Sequence, residues 1–161
     1  MLTHDVLKGV LDYYPDSGIF KSRNKTSKKP AGSVVGCIGT HGYLVIAVKG
    51  RSYLAHRLAW FYMHGEWPKD LIDHVNGVKV DNRFVNLREC SKSQNGQNSK
   101  ARKSFSGVKS VEWHTGAGKW RVRMEVAGKR HHIGFFVCLE QAEQAAIAAR
   151  ERLHGEFARH A

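Results

Sequence analysis

The sequence lacks any apolar run near the roughly 18 residues that a helix needs to cross a bilayer. Its first residues carry no apolar signal segment, because Leu2 is followed by Thr3, His4 and Asp5. Both absences predict a soluble, cytoplasmic chain with no membrane partner. Cysteine is scarce: Cys37, Cys90 and Cys138 are the three present, no two form a C-x-x-C pair, and the odd number argues against a disulfide framework. No structural zinc is therefore expected, and the thiols are predicted to be free and buried. Acidic residues are few, 14 Asp and Glu against 26 Lys and Arg, which gives a formal charge of +12. That balance fits a polyanion, and with membranes set aside it favours nucleic acid.

What is present is concentrated in Leu71–Asn98, LIDHVNGVKVDNRFVNLRECSKSQNGQN. An Asp-His pair is followed by Asn86 twelve residues after the His and Asn95 nine further on. Asp73 is a hard oxygen donor for a divalent metal. His74 titrates near neutrality and can take a proton from water. Asn86 can accept a hydrogen bond from the other ring nitrogen and fix its tautomer. Asn95 offers a neutral oxygen. Mg²⁺ suits so sparse a set, because it keeps several waters and takes few protein ligands, with Mn²⁺ as the alternative.

Local patterns place these groups. Leu71–Val75 reads as a strand, Asn76-Gly77 as a turn, Asp81-Asn82 as a further turn, and Leu87–Cys90 as a second strand. Ser91 can cap a helix over Lys92–Ala101 that carries Asn95.

IDHVNGVKVDNRFVNLREC with SKSQN resembles the HNH motif of the ββα-metal nucleases, in the form found in phage and intron-encoded homing endonucleases. HRLAWFYMHGEWP upstream is similar to the segment that leads into that family's core. The resemblance implies that Asp73 and Asn95 hold one metal, that His74 activates the water, and that Asn86 orients His74.

Ahead of this stretch, Thr3 can cap a helix with an apolar face from Val6 to Tyr14, ended by the turn Pro15-Asp16-Ser17-Gly18. Lys21–Lys29 is a basic loop, read either as a phosphate contact or as a solvated loop. Ser33–Ile38, Tyr43–Lys49 and Ser52–His56 read as a β-meander, and His56–His64 as a helix stopped by Gly65. This region resembles the β-rich part that precedes the core in phage nucleases and is assigned packing and DNA contact rather than chemistry. His56 is open to two readings, a metal ligand or a buried histidine bonded to backbone.

Beyond Asn95, Lys100, Arg102 and Lys103 lie in a polar linker expected to touch DNA phosphates. Val108–Trp113, Trp120–Val126 and Arg130–Phe136 then read as three strands, followed by an Ala-rich helix over Leu139–His154. On the middle strand Trp120, Val122, Met124 and Val126 share the face expected to pack on the helix. The opposite face, with Arg121 and Arg123, is expected to be left free and basic, of a size that fits a major groove. This region resembles the plant ethylene-response-factor (Apetala-type) DNA-binding domain in its GV…W…KW pattern, its G-F-F turn and its Ala-rich helix. The resemblance implies DNA contacts from Lys109, Arg121, Arg123, Lys129 and Arg130. The chain departs from the plant pattern after Gly107-Val108, where Lys109-Ser110-Val111-Glu112 replaces clustered arginines.

The expected class is α+β. It comprises a small β-rich N-terminal region (1–55), a ββα-metal nuclease core (56–100), a basic linker (101–104), and a three-stranded antiparallel sheet packed on one helix (105–161). The expected function is metal-dependent HNH endonuclease action on double-stranded DNA in a phage-infected host cell. One centre per chain predicts a nick from a monomer and a double-strand break only from a dimer or two sequential events, and the oligomeric state is not legible. The alternative is a DNA-binding regulator with a degenerate nuclease centre. A ribonuclease or RNA-binding reading survives on charge alone and loses weight, because the tail lacks the exposed-aromatic sheet motif of RNA-recognition modules.

Overall fold

The computed structural model describes residues 2–25, 29–98 and 105–158, in two compact units, Met1–Cys90 and Ser91–Ala161. The architecture is mixed α and β with several small antiparallel sheets.

In the first unit, helix α1 (His4–Val10) is capped by the Thr3 hydroxyl, which accepts from the Val6 amide. It stops well before the expected end. Leu11 is already extended, and Leu11–Tyr14 forms β1, paired antiparallel with β2 (Ile19–Ser22). The two tyrosines suit a strand better than a helix terminus, and Pro15–Gly18 is the turn of a hairpin rather than a helix stop. The meander follows as β3 (Cys37–Ile38), β4 (Leu44–Val48) and β5 (Arg51–Leu54), in that spatial order. Helix α2 (Ala55–His64) ends at Gly65, whose φ of 78° is the left-handed geometry that glycine adopts without a Cβ penalty. The unit closes with hairpin strands β6 (Leu71–His74) and β7 (Leu87–Cys90).

One core holds this unit together: Leu7, Phe20, Ile46, Leu58, Ile72 and Leu87 from α1, β2, β4, α2, β6 and β7 are all buried. Phe61 stacks on Trp67 at 4.4 Å and Tyr13 on Phe20 at 4.6 Å. Cys90 is buried, and burial pushes its thiol up to about 11, so it is inert at neutral pH. Cys37 departs from expectation: it sits exposed on the two-residue edge strand β3.

The second unit begins with helix α3 (Lys92–Gln97). Ser91 and Gln94 form a capping box there, each side chain accepting from the other's backbone amide. The helix is shorter than expected, with Asn98 as its C-cap. Strands β8 (Val111–His114), β9 (Lys119–Val126) and β10 (Lys129–Phe136) form one antiparallel sheet in the order β10-β9-β8, with an irregularity between His132 and Gly134. Helix α4 (Leu139–His154) lays Ala142, Ala146 and Ala149 on Val111, Val122 and Met124, as the alternation on β9 predicted. Methyl side chains let helix and sheet backbones approach closely, and Arg150, 1% exposed, donates from Nη2 to the Lys109 carbonyl at 2.7 Å. Ala146→Leu should overpack this contact and cost about 1–3 kcal/mol. Denaturant melts followed by tryptophan fluorescence should show the lower midpoint, and an unchanged midpoint would contradict the packing described.

Candidate functional site

The β6–β7 hairpin sets the geometry. Asp73 stands opposite Arg88 and His74 opposite Leu87. Arg88 donates from Nε and Nη2 to Asp73 Oδ2 at 3.1 and 2.9 Å, a partly buried ion pair. One oxygen of the expected metal ligand therefore already carries a guanidinium, which sequence spacing gave no means to see.

His74 is 4% exposed. Its ring lies edge-on to His56 at 5.0 Å and 6.0 Å from Tyr43. Burial lowers the His74 pKa below the usual histidine value, opposed by the Asn82 hydrogen bond and by the charges of Asp73 and Asp81; nearby Lys79 adds to the lowering. The ring is thus neutral at pH 7, the form that a general base needs. Its Nε2 lies 3.3 Å from Asn82 Oδ1, inside the protein.

The structure corrects the expected role of Asn86. Its amide is committed to the loop that joins the two strands rather than to His74 in any bond the structure shows. Asn86 Oδ1 accepts from the Asn76 amide at 3.0 Å, and Nδ2 donates to Asn76 Oδ1 at 3.0 Å and to the Asp81 carbonyl at 2.8 Å. Its own carbonyl accepts from the Val75 amide. Asn86 closes the loop, and Asn82 touches the ring.

Asp81 completes the loop. It accepts from Arg83 Nε and Nη2 at 2.8 and 2.6 Å and from Asn76 Nδ2 at 2.7 Å, and these bonds, Arg83 first, hold its carboxyl well below the usual range. Asn82, Arg88 and Tyr43 had not been singled out from the sequence. The DN-R-x-x-N spacing was the signal available for Asn82, and it reads equally well as turn chemistry.

His56 is 5% exposed, and its Nδ1 has no hydrogen-bond partner among the described residues. It lies 5.1 Å from Tyr43, and burial first, then the charges of His74 and Arg57, pushes it down to about 3. Its Nδ1 is not bonded to backbone, and no cluster of three or more His, Cys, Asp or Glu suited to a metal occurs among the described residues.

Asn95 lies exposed on α3, in the second unit. Lys100, Arg102 and Lys103 fall outside the described residues, as does Lys28 of the basic loop. The far face of the C-terminal sheet is not the free basic surface that alternation suggested. Arg121 and Arg123 both pair with Glu112, at 2.6 and 2.8 Å, and Arg130 approaches Glu125 at 3.9 Å. Lys129 is exposed, and Lys109 is half-buried with its carbonyl bound by Arg150.

The neutral histidines also tie stability to pH. The unfolded chain binds protons on His56 and His74 below about 6.5, while the folded chain resists, so stability is full above that pH and is lost as pH falls toward the folded value. Each such group adds a slope of up to about 1.4 kcal/mol per pH unit in that window. Thermal melts between pH 7 and 4.5 should show the decline, and His56→Gln should flatten it.

Comparison with known proteins places this geometry in a family. Residues 53–97 match the pattern described as HNH endonuclease. Protein 3.8 of Escherichia phage T7 is 34% identical over 106 residues, which cover 65% of this chain and 87% of the T7 protein. The uncharacterized HNH endonuclease L560 of Acanthamoeba polyphaga mimivirus is 28% identical over 122 residues, 75% of this chain and 63% of L560. Among solved structures, the HNH homing endonuclease I-HmuI, known from a study of its DNA binding and cleavage, aligns with a TM-score of 0.43 at 24% identity, covering 56% of this chain and 51% of that one. The chain thus spans less than two thirds of the last two. Spanning most of the T7 protein at that identity, with the HNH pattern matched across the hairpin of Asp73 and His74, the chain belongs to the HNH endonuclease family.

Proposed function

We propose that this chain is a divalent-metal-dependent endonuclease that hydrolyses phosphodiester bonds of double-stranded DNA, with His74 as general base. The carrying observation is a buried histidine, kept neutral, with Nε2 against a side-chain oxygen and next in sequence to a carboxylate on the same strand. Membership of the HNH family and the charge of +12 support it.

The donor set suits Mg²⁺ or Mn²⁺ in kind. Asp73 is a hard carboxylate and Asn95 a neutral oxygen, the two ligand types that the HNH resemblance implies, and an ion of this kind takes few protein ligands and completes its shell with water and substrate phosphate. Arg88 shares the Asp73 carboxylate and holds it in place. When bound, the metal supplies stabilisation of charge on the phosphate and on the leaving oxygen. The chain's own part is proton transfer. With Nε2–H donated to Asn82 Oδ1, the ring lone pair is on Nδ1, which takes the proton of the attacking water. The expected products are a 5′-phosphate and a 3′-hydroxyl.

The C-terminal unit serves, in this reading, as the DNA-docking module of the ethylene-response-factor type. Its three-stranded sheet on a single helix and the arginines on its outer face support that assignment, with Lys109, Arg121, Arg123, Lys129 and Arg130 as contacts. Lys100, Arg102 and Lys103 would add phosphate contacts. No helix among the described residues is long and apolar enough to cross a membrane, and the viral relatives fit action on DNA in a host cell.

Supercoiled-plasmid nicking should require Mg²⁺ and stop with EDTA. His74→Ala should lose roughly 10²–10⁴ in rate while still binding DNA. Because the His74 pKa lies below the usual value, the acid limb of the rate profile should fall below pH 6.5, with a plateau above. Metal-independent nicking, or nicking unchanged in His74→Ala, would reject the centre. DNA binding by a folded wild type that never nicks would favour the regulator.

A further inference from the structure

The matched HNH segment begins at residue 53, yet three residues far ahead of it meet the loop that holds His74. Tyr13 on β1 donates its hydroxyl to the Asn82 carbonyl at 2.7 Å, a buried bond spanning 69 residues of sequence. Pro15, in the turn that follows, accepts at its carbonyl from the Phe84 amide at 2.9 Å. Gly18, with φ of 71°, lies so close that a Cβ there would collide with the Asn82 carbonyl carbon and the Arg83 nitrogen. The β1–β2 turn therefore grips the backbone of Asn82 to Phe84.

The Asn82 side chain faces the other way. It is 1% exposed, and its Nδ2 donates to the Val80 carbonyl at 3.1 Å, which directs Oδ1 toward His74 Nε2. An amide oxygen can only accept, so the ring nitrogen facing it carries the proton. A wrong histidine tautomer is known to cost a general base orders of magnitude in rate with its geometry intact.

We propose that Asn82 is a positioning residue that fixes the tautomer and orientation of His74, and that the N-terminal hairpin, through the Tyr13 hydroxyl, holds Asn82 in place. This rests on the reading of His74 as the base. It makes β1–β2 part of the catalytic apparatus rather than packing alone. The neighbours of the ring fit the same arrangement: His56 stands edge-on to it, Tyr43 flanks both rings, and Lys79 caps Tyr43 with Nζ 4.8 Å from the ring centre. These contacts restrict tilt. The Asn82 bond also selects a nitrogen.

The test uses the full chain and two readouts. Nitrogen-15 spectra of the His74 ring, recorded near pH 7.5, report the tautomer without any reaction. Plasmid nicking with Mg²⁺ reports kcat and KM. Wild type should show the Nε2–H form. Asn82→Ala should mix the tautomers and lower kcat roughly 10–100-fold at unchanged KM, the range typical of a lost orienting partner. Asn82→Asp, which keeps an acceptor of the same reach, should restore the tautomer and part of kcat. Tyr13→Phe keeps the stack on Phe20 and removes only the hydroxyl, so it should fall between wild type and Asn82→Ala in both readouts. A pure Nε2–H form with wild-type kcat in Asn82→Ala would overturn the positioning role. Should that variant fail to fold, Asn82→Asp carrying the other tautomer would overturn it equally. Tyr13→Phe matching wild type in both readouts would remove the hairpin from the scheme. If wild type nicks nothing, the nuclease reading falls while the ring spectra still decide the role of Asn82.

Discussion

The pairing of β6 with β7 is the constraint on which the centre depends. Side chains alternate along a strand, so a slip of one residue would turn Asp73 away from Arg88 and send His74 to the other face. The register is pinned at the mouth of the loop, where Asn86 accepts the Val75 amide at its carbonyl and the Asn76 amide at its side chain. A single asparagine thus closes an eleven-residue connection, from Val75 to Val85, at the point where the strands diverge. Inside that closure the Asp81–Arg83 pair and the Asn76 amide hold the loop in one shape, and Asn82 is left pointing inward.

Much of this was legible from residue types. The Asp-His pair, the two-strand hairpin, the Ser91 cap and the sheet-on-helix tail all follow from period and turn chemistry, because each is set by residues close in sequence. The roles of the two asparagines were not legible. Asn82 and Asn86 are the same residue type four apart, and spacing alone cannot say which amide meets a ring and which meets backbone. The bond from Tyr13 was out of reach for a different reason: it joins segments 69 residues apart, and nothing local to YYPDSG signals it. The N-terminal helix ran long in the sequence reading because Val6 to Tyr14 carries apolar residues that satisfy a helical face, whereas the pairing partner that makes Leu11–Tyr14 a strand lies across the turn.

Burial decides the electrostatics of the centre more than charge does. The chain is strongly basic, yet desolvation comes first among the causes that lower His56 and His74, ahead of any neighbouring cation. On the proposed DNA substrate, each phosphate would otherwise pull these histidines toward the charged form. Enclosing His74 among Tyr43, His56 and Asn82 favours the neutral ring.

The two arginines that share Glu112 carry a further meaning. A sheet face whose guanidiniums already hold a carboxylate carries its own counterion. A phosphate reaching this face would exchange with the internal anion rather than meet a free cation, so long-range attraction would be damped while short-range geometry still counted. Were it the DNA-docking face proposed above, it would grip arbitrary duplex weakly and tighten only where a groove presented acceptors well enough placed to displace the internal one.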